Sequence, residues 1–168
     1  RLRINPDGSI LIGTTTNPSS AKLAVSSNVS APSAGPAGNV MAHFLAPDSS
    51  ATGRVVFDSF AAHNTYVNRR ANGTNASKTG ILTDELIGGL SAFGYGSTAY
   101  YNGGYAQFGA AENWTDSTAS THFTIGLIPT GSTSPTTLFR FTSTGRLGIN
   151  TVLPTSLLLS LIHISEPT

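Results

Sequence analysis

The side chains that could carry acid–base chemistry are two pairs of carboxylates, Asp84 with Glu85 and Glu112 with Asp116. Cleavage of a glycosidic bond uses two such groups about 5 to 9.5 Å apart, one as acid and the other as base or nucleophile. Asp84 and Glu85 are adjacent, so an extended chain points them to opposite faces and denies them a shared substrate. In "ENWTD", extension places Glu112, Trp114 and Asp116 on one face, where an indole flanked by polar groups makes a platform for stacking a sugar. The competing reading is a corner in which Trp114 plugs the core and Asp116 closes a turn. The histidines His43, His63, His122 and His163 are scattered without the close spacing that metal ligation requires. Ser91 sits in "GLSAFG", one residue too long for a nucleophile elbow, and there is no cysteine. No catalytic residue, metal site or cofactor is expected, and the chain is not expected to be an enzyme.

Recognition chemistry has better candidates. "FGYGSTAYYNGGY" sets Tyr95, Tyr100, Tyr101 and Tyr105 among glycines, and such loops give rigid amphipathic contact area at low entropic cost. Tyrosines lining an interface between copies explain the same loop equally well. Arg69 and Arg70 precede a turn at Asn72-Gly73, and their forked donors could hold an anionic sugar or a phosphate. Together with Trp114 these are the candidate glycan-binding residues.

The elements that must position them follow from composition. A chain of 168 residues holds about one domain. Only 10% of its residues are charged, against about 25% in ordinary soluble domains. A net charge of +1, with no basic cluster beyond Arg69-Arg70, excludes an electrostatic footprint for nucleic acid. The longest apolar run, "SLLLSLIHI", falls well short of the about 20 residues of a membrane span, so no membrane insertion is expected. With Arg1 in place of Met, the true start is expected to lie upstream.

Short β-branched and aromatic runs separated by Gly, Asn, Ser and Thr predict strands over "GRVVFDSF", "ELIGGLSAFGYG", "YAQFGAAE", "HFTIGLIP" and "TLFRFT". In "HFTIGLIP", Phe123, Ile125 and Leu127 share one face. No window carries helical apolar spacing with caps, so the fold class is all-β: a compact β-sandwich-like or β-roll module. Residues 1–26 form a strand, turn, strand unit around Pro6-Asp7-Gly8. Residues 27–39, rich in Ser, Ala, Gly and Pro, read as a linker, and residues 40–135 as the globular module.

Residues 136–158 then repeat the opening. Setting Gly145 on Gly8 pairs Arg140 with Arg3, Phe141 with Ile4, Leu147 with Ile10, Ile149 with Ile12 and Thr151 with Thr14. One deletion later, Pro154 falls on Pro18. Such a unit has too few apolar side chains to bury a core alone, so repetition points to stacking along one chain or between chains.

"STGRLGINTVLPTSLL" resembles a phrase that recurs in the shafts of bacteriophage tail fibres, just before a C-terminal intramolecular chaperone that trims itself off. "RRANGT", "DELIGG", "GYG", "AAENWTD" and the later "PTGST" resemble, in this order, a module of the same appendage proteins. The resemblance covers about Thr65 to Leu158 and the opening repeat. It implies flanking shaft repeats, completion of the fold as a homotrimer, and a place on the virion tail appendage after assembly in the host cytoplasm. It also implies a structural and host-recognition role in adsorption, with a bacterial surface glycan or protein as receptor. The alternative is a secreted bacterial adhesin or a glycan-cleaving tail spike module. Residues 159–168, "LSLIHISEPT", resemble instead the translation of a sequencing-library adaptor, and are expected to be a non-native tail.

Overall fold

The computed structural model of the chain describes residues 2–14, 21–26, 40–46 and 52–160. The expected linker 27–39, Pro18, His163 and most of the expected non-native tail lie outside the described residues; Leu159 and Ser160 of that tail are in a strand. The fold is all-β, with no helix among the described residues. The chain divides into two compact units, Arg1–Asn64 and Thr65–Thr168.

The first unit holds a four-stranded sheet in the order β1 (Leu2–Ile4), β2 (Ile10–Ile12), β3 (Leu23–Ser26), β4 (Ala42–Leu45). β1 and β2 make an antiparallel hairpin in which Arg3 faces Leu11. Its turn is closed by the Gly8 amide donating to the Asn5 carbonyl at 2.9 Å, with Gly8 at φ +78°, a conformation that costs a side chain free energy and glycine almost none. The Asp7 carboxylate accepts from the Ser9 amide at 3.0 Å and the Ser9 hydroxyl at 2.8 Å, which lowers its pKa. β3 and β4 then add in parallel, aligning Leu11, Ala24 and His43 across the sheet. Leu11 and Ala24 are fully buried.

The predicted strand over Gly53–Phe60 does not form: residues 52–71 carry no regular structure and are exposed. A β-branched run favours a strand only where a partner edge is available to take up its backbone groups, and none of the described strands pairs with it.

The second unit holds a small hairpin, β5 (Asn72–Gly73) with β6 (Lys78–Thr79), and a six-stranded sheet. The sheet comprises β7 (Leu86–Tyr95), β8 (Tyr100–Ala110), β9 (Thr121–Leu127), β10 (Thr136–Phe141), β11 (Leu147–Ile149) and β12 (Leu158–Ser160), in the order β12-β11-β10-β9-β8-β7. β7 to β11 form an antiparallel meander, and β12 joins β11 in parallel.

The internal repeat is visible residue by residue. The hairpin β10–β11 pairs Phe139 with Ile149, Arg140 with Gly148 and Phe141 with Leu147; β1–β2 pairs Leu2 with Ile12, Arg3 with Leu11 and Ile4 with Ile10. Gly145 repeats the left-handed turn of Gly8 at φ +76°, and Asn150 at φ +57° stands where the first copy has Gly13 at φ +81°. Each second strand then receives a parallel neighbour, through Ile10 N to Lys22 O in one copy and Leu147 N to Leu157 O in the other, both at 2.8 Å.

The register separates the large sheet into two unlike faces. On one, Phe108, Phe123, Phe141, Leu147 and Leu158 line up across five strands, flanked by a second row of Leu90, Ala106, Ile125, Phe139 and Ile149. The phenylalanine rings of the first row follow one another at 4.9 and 6.2 Å. This apolar face stays open: Phe108 is 52% exposed, Phe141 45% and Leu90 67%. The other face closes on itself. Tyr105 lies over Gly126, where a Cβ would meet its ring at 2.3 Å, and His122 lies over Gly109, where a Cβ would meet the imidazole at 2.5 Å. His122, Thr124 and Gly126 are therefore the buried residues of β9, while Phe123 and Ile125 are half-buried and Leu127 is exposed.

Candidate functional site

Local hydrogen bonding sends the acidic residues to different tasks. Asp84, in a left-handed turn at φ +64°, reaches Arg140 at 3.9 Å. Glu85 turns the other way and takes the Arg70 guanidinium at 2.7 Å, the Asn72 amide at 2.6 Å and the Leu82 backbone N–H at 2.7 Å. These donors, the Leu82 N–H first, hold its pKa below the usual carboxylate value. Arg70 is completed by the Leu86 carbonyl at 2.5 Å and the Asn72 side-chain oxygen at 3.2 Å. Glu85 thus joins the β5–β6 hairpin to the start of β7. Nothing in the local sequence marks it for this role, because its partners come from three separated positions.

"ENWTD" is not extended. It belongs to the connection between β8 and β9, where Thr115 N donates to Thr118 O at 2.9 Å. Glu112 accepts the Ser120 N–H at 2.8 Å, and Ser120 lowers its pKa. The Trp114 amide donates to Ile81 O at 2.8 Å, and its indole N–H donates to Ser120 O at 3.1 Å. Asn113 takes both the amide and the hydroxyl of Thr83 through its side-chain oxygen, at 2.9 and 3.1 Å. This turn sends the Glu112 carboxylate to Ser120, while the half-buried Trp114 and the exposed Asp116 line one cleft.

An open cleft of about 420 Å³ results between the β5–β6 hairpin and this connection, lined by Arg70, Thr79, Ile81, Trp114, Thr115 and Asp116 among others. It brings together two of the candidate binding residues, Arg70 and Trp114. Arg69 is exposed and does not line it. Gly80 is required at its back, since a Cβ there would fall 2.4 Å from the Trp114 carbonyl oxygen.

The tyrosines divide. Tyr95 and Tyr100 meet edge to face at 5.1 Å across the β7–β8 hairpin, beside the turn closed by Gly96 N to Ala99 O at 2.9 Å; Tyr101, next in the strand, is exposed on the opposite face. Tyr105 belongs to the closed face of the sheet, its hydroxyl 2.7 Å from that of Thr137. Among the described residues no three His, Asp or Glu side chains converge as metal ligands do.

No protein-family model matches the chain, and no curated protein matches it. Among solved structures, the carboxy-terminal domain of the bacteriophage T5 L-shaped tail fibre is similar with a TM-score of 0.45 and 13% sequence identity, over 67% of this chain and 42% of that one. The chain therefore spans less than half the length of that structure.

Proposed function

We propose that the chain is a structural and host-recognition segment of a phage tail fibre that works as a homotrimer and carries out no catalysis. The observation that carries this reading is the open apolar face of the six-stranded sheet. Five strands span about 19 Å at the usual interstrand spacing, and each of two apolar rows runs across five of the six strands. Single-chain proteins seldom expose a continuous apolar patch larger than about 300 to 600 Å². Three copies turning this face toward a common axis would bury it and leave the self-closed polar face outside. The ordered phrases from "RRANGT" to "GRLGINTVLPT" support the tail-appendage assignment, and the duplicated hairpin supports a shaft built by repetition.

The non-catalytic reading is supported by the carboxylates. The hydrogen bonds to Glu85 and Glu112 lower their pKa values, the opposite of the raised pKa that suits a general acid, and Asp84 faces Arg140. Incubation with purified host-envelope glycans tests it: adsorption to cells without release of oligosaccharides is expected. Released oligosaccharides would turn the reading to a glycan-cleaving tail spike.

A further inference from the structure

We infer that the cleft beside Trp114 binds an uncharged oligosaccharide. This deepens the host-recognition reading and rests on it for the source of the ligand, but not for binding itself. The cleft lies within the range of small-molecule sites, about 300 to 1,000 Å³, at about 420 Å³. Its aromatic wall is set in advance: the Trp114 backbone is tied to Ile81 and its indole N–H to Ser120. A ring held at both points loses little freedom when a sugar stacks on it.

Charge selects the class of sugar. The Arg70 guanidinium is spent on Glu85, Asn72 and the Leu86 carbonyl, so the cation that would attract an anionic sugar is already neutralised. The neighbouring Lys78 ammonium is turned to the Asn75 carbonyl. Asp116 lines the cleft with its carboxylate unpartnered among the described residues, as is the Thr79 hydroxyl, while the Thr115 hydroxyl is taken by Ser117 and Thr118. The free groups are thus a carboxylate, which accepts hydrogen bonds from sugar hydroxyls and repels uronates and phosphates, and one hydroxyl. The forked-arginine grip on an anionic sugar that "NRRANGT" offers is not available to Arg70.

Trp114 is the only tryptophan in the chain, so its fluorescence in the whole protein reports on this cleft. The probes are neutral trisaccharides of glucose, galactose, mannose and N-acetylglucosamine, with trigalacturonate as the anionic counterpart, each titrated to about 10 mM, beyond the weak end of specific affinities. At least one neutral trisaccharide is expected to give a saturable change and trigalacturonate none. Asp116→Ala, an exposed turn position, is expected to weaken the neutral sugar about tenfold, the loss of a charge-assisted hydrogen bond, with an unchanged circular dichroism spectrum. Silence toward all four neutral sugars, tighter binding of trigalacturonate, or an unchanged affinity in Asp116→Ala would each overturn the inference. Cell adsorption that persists while the cleft stays silent removes this site and leaves the fibre reading standing.

Discussion

The two copies of the hairpin share a register, a turn and a left-handed corner, yet they use their centres differently. In the first copy the position facing Arg3 is Leu11, fully buried against Ala24 of the next strand. In the second the position facing Arg140 is Gly148, over which the chain folds so tightly that a Cβ would lie 2.3 Å from the Thr151 carbonyl oxygen. The first copy fills its inner side with an aliphatic side chain. The second empties that side, and in both copies the large residues of the opposite side stay exposed or half-buried: Leu2, Ile4, Ile10 and Ile12 in the first, Phe139, Phe141, Leu147 and Ile149 in the second. One backbone pattern therefore carries an aliphatic side chain at a buried centre in one place and a close backbone crossing in the other.

The largest effect should come from the apolar face. If copies bury it, Phe123→Ala removes a buried ring and costs about 3 to 5 kcal/mol; if Phe123 stays half-exposed in a lone chain, the loss is nearer 1 kcal/mol. Denaturant unfolding monitored by circular dichroism separates the two. Exchanging the centres tests the contrast between the copies. Leu11→Ala should cost about 2 to 5 kcal/mol through the cavity it leaves. Gly148→Leu should cost about 1 to 3 kcal/mol or more, because the side chain meets the Thr151 backbone.

The turns should behave alike in both copies. Gly8 and Gly145 have open space where a Cβ would stand, so Gly8→Ala and Gly145→Ala should each cost only the left-handed strain, about 1 to 2 kcal/mol. The corners should not behave alike: Asn150 tolerates its φ as asparagine often does, whereas a Cβ at Gly13 would lie 2.0 Å from Ser26 O. Gly13→Asn should therefore destabilise more than Asn150→Gly, as thermal unfolding of the two variants would show.

How much of this the sequence discloses depends on range. The Pro6-Asp7-Gly8 turn and its echo at Gly145 are legible because a tight turn writes its requirement into adjacent residues. The alternation of "HFTIGLIP" likewise places Phe123, Ile125 and Leu127 together on one face. That the opposite face is the closed one is not legible, because it depends on Gly109 and Gly126 letting His122 and Tyr105 lie flat across strand neighbours. Gly53–Phe60 misleads for the same reason, since its composition suits a strand but pairing is decided elsewhere. At the cleft, Arg70 and Trp114 are recognisable by type, while the pairing of Arg70 with Glu85 and the turn that frees Asp116 are tertiary facts.

The smallest effect is a pH dependence seated on the closed face. Burial, with the Arg140 cation as a second cause, holds the pKa of His122 below its ordinary value of 6.5, against a smaller opposing pull from Asp84. The unfolded chain then binds the proton at a higher pH than the folded one, so this contribution is complete above about pH 6.5 and is lost as pH falls below it. The melting temperature should drop modestly from about pH 7.5 to 5.5, and His122→Gln should lessen the drop, leaving the share of His43, whose pKa burial also lowers.

Whether copies of the chain cover the row from Phe108 to Leu158 decides between a fibre trimer and a lone chain. Sedimentation equilibrium of the folded protein measures this directly. A trimer that persists on dilution is the predicted result; a stable, dispersed monomer with native circular dichroism would contradict it.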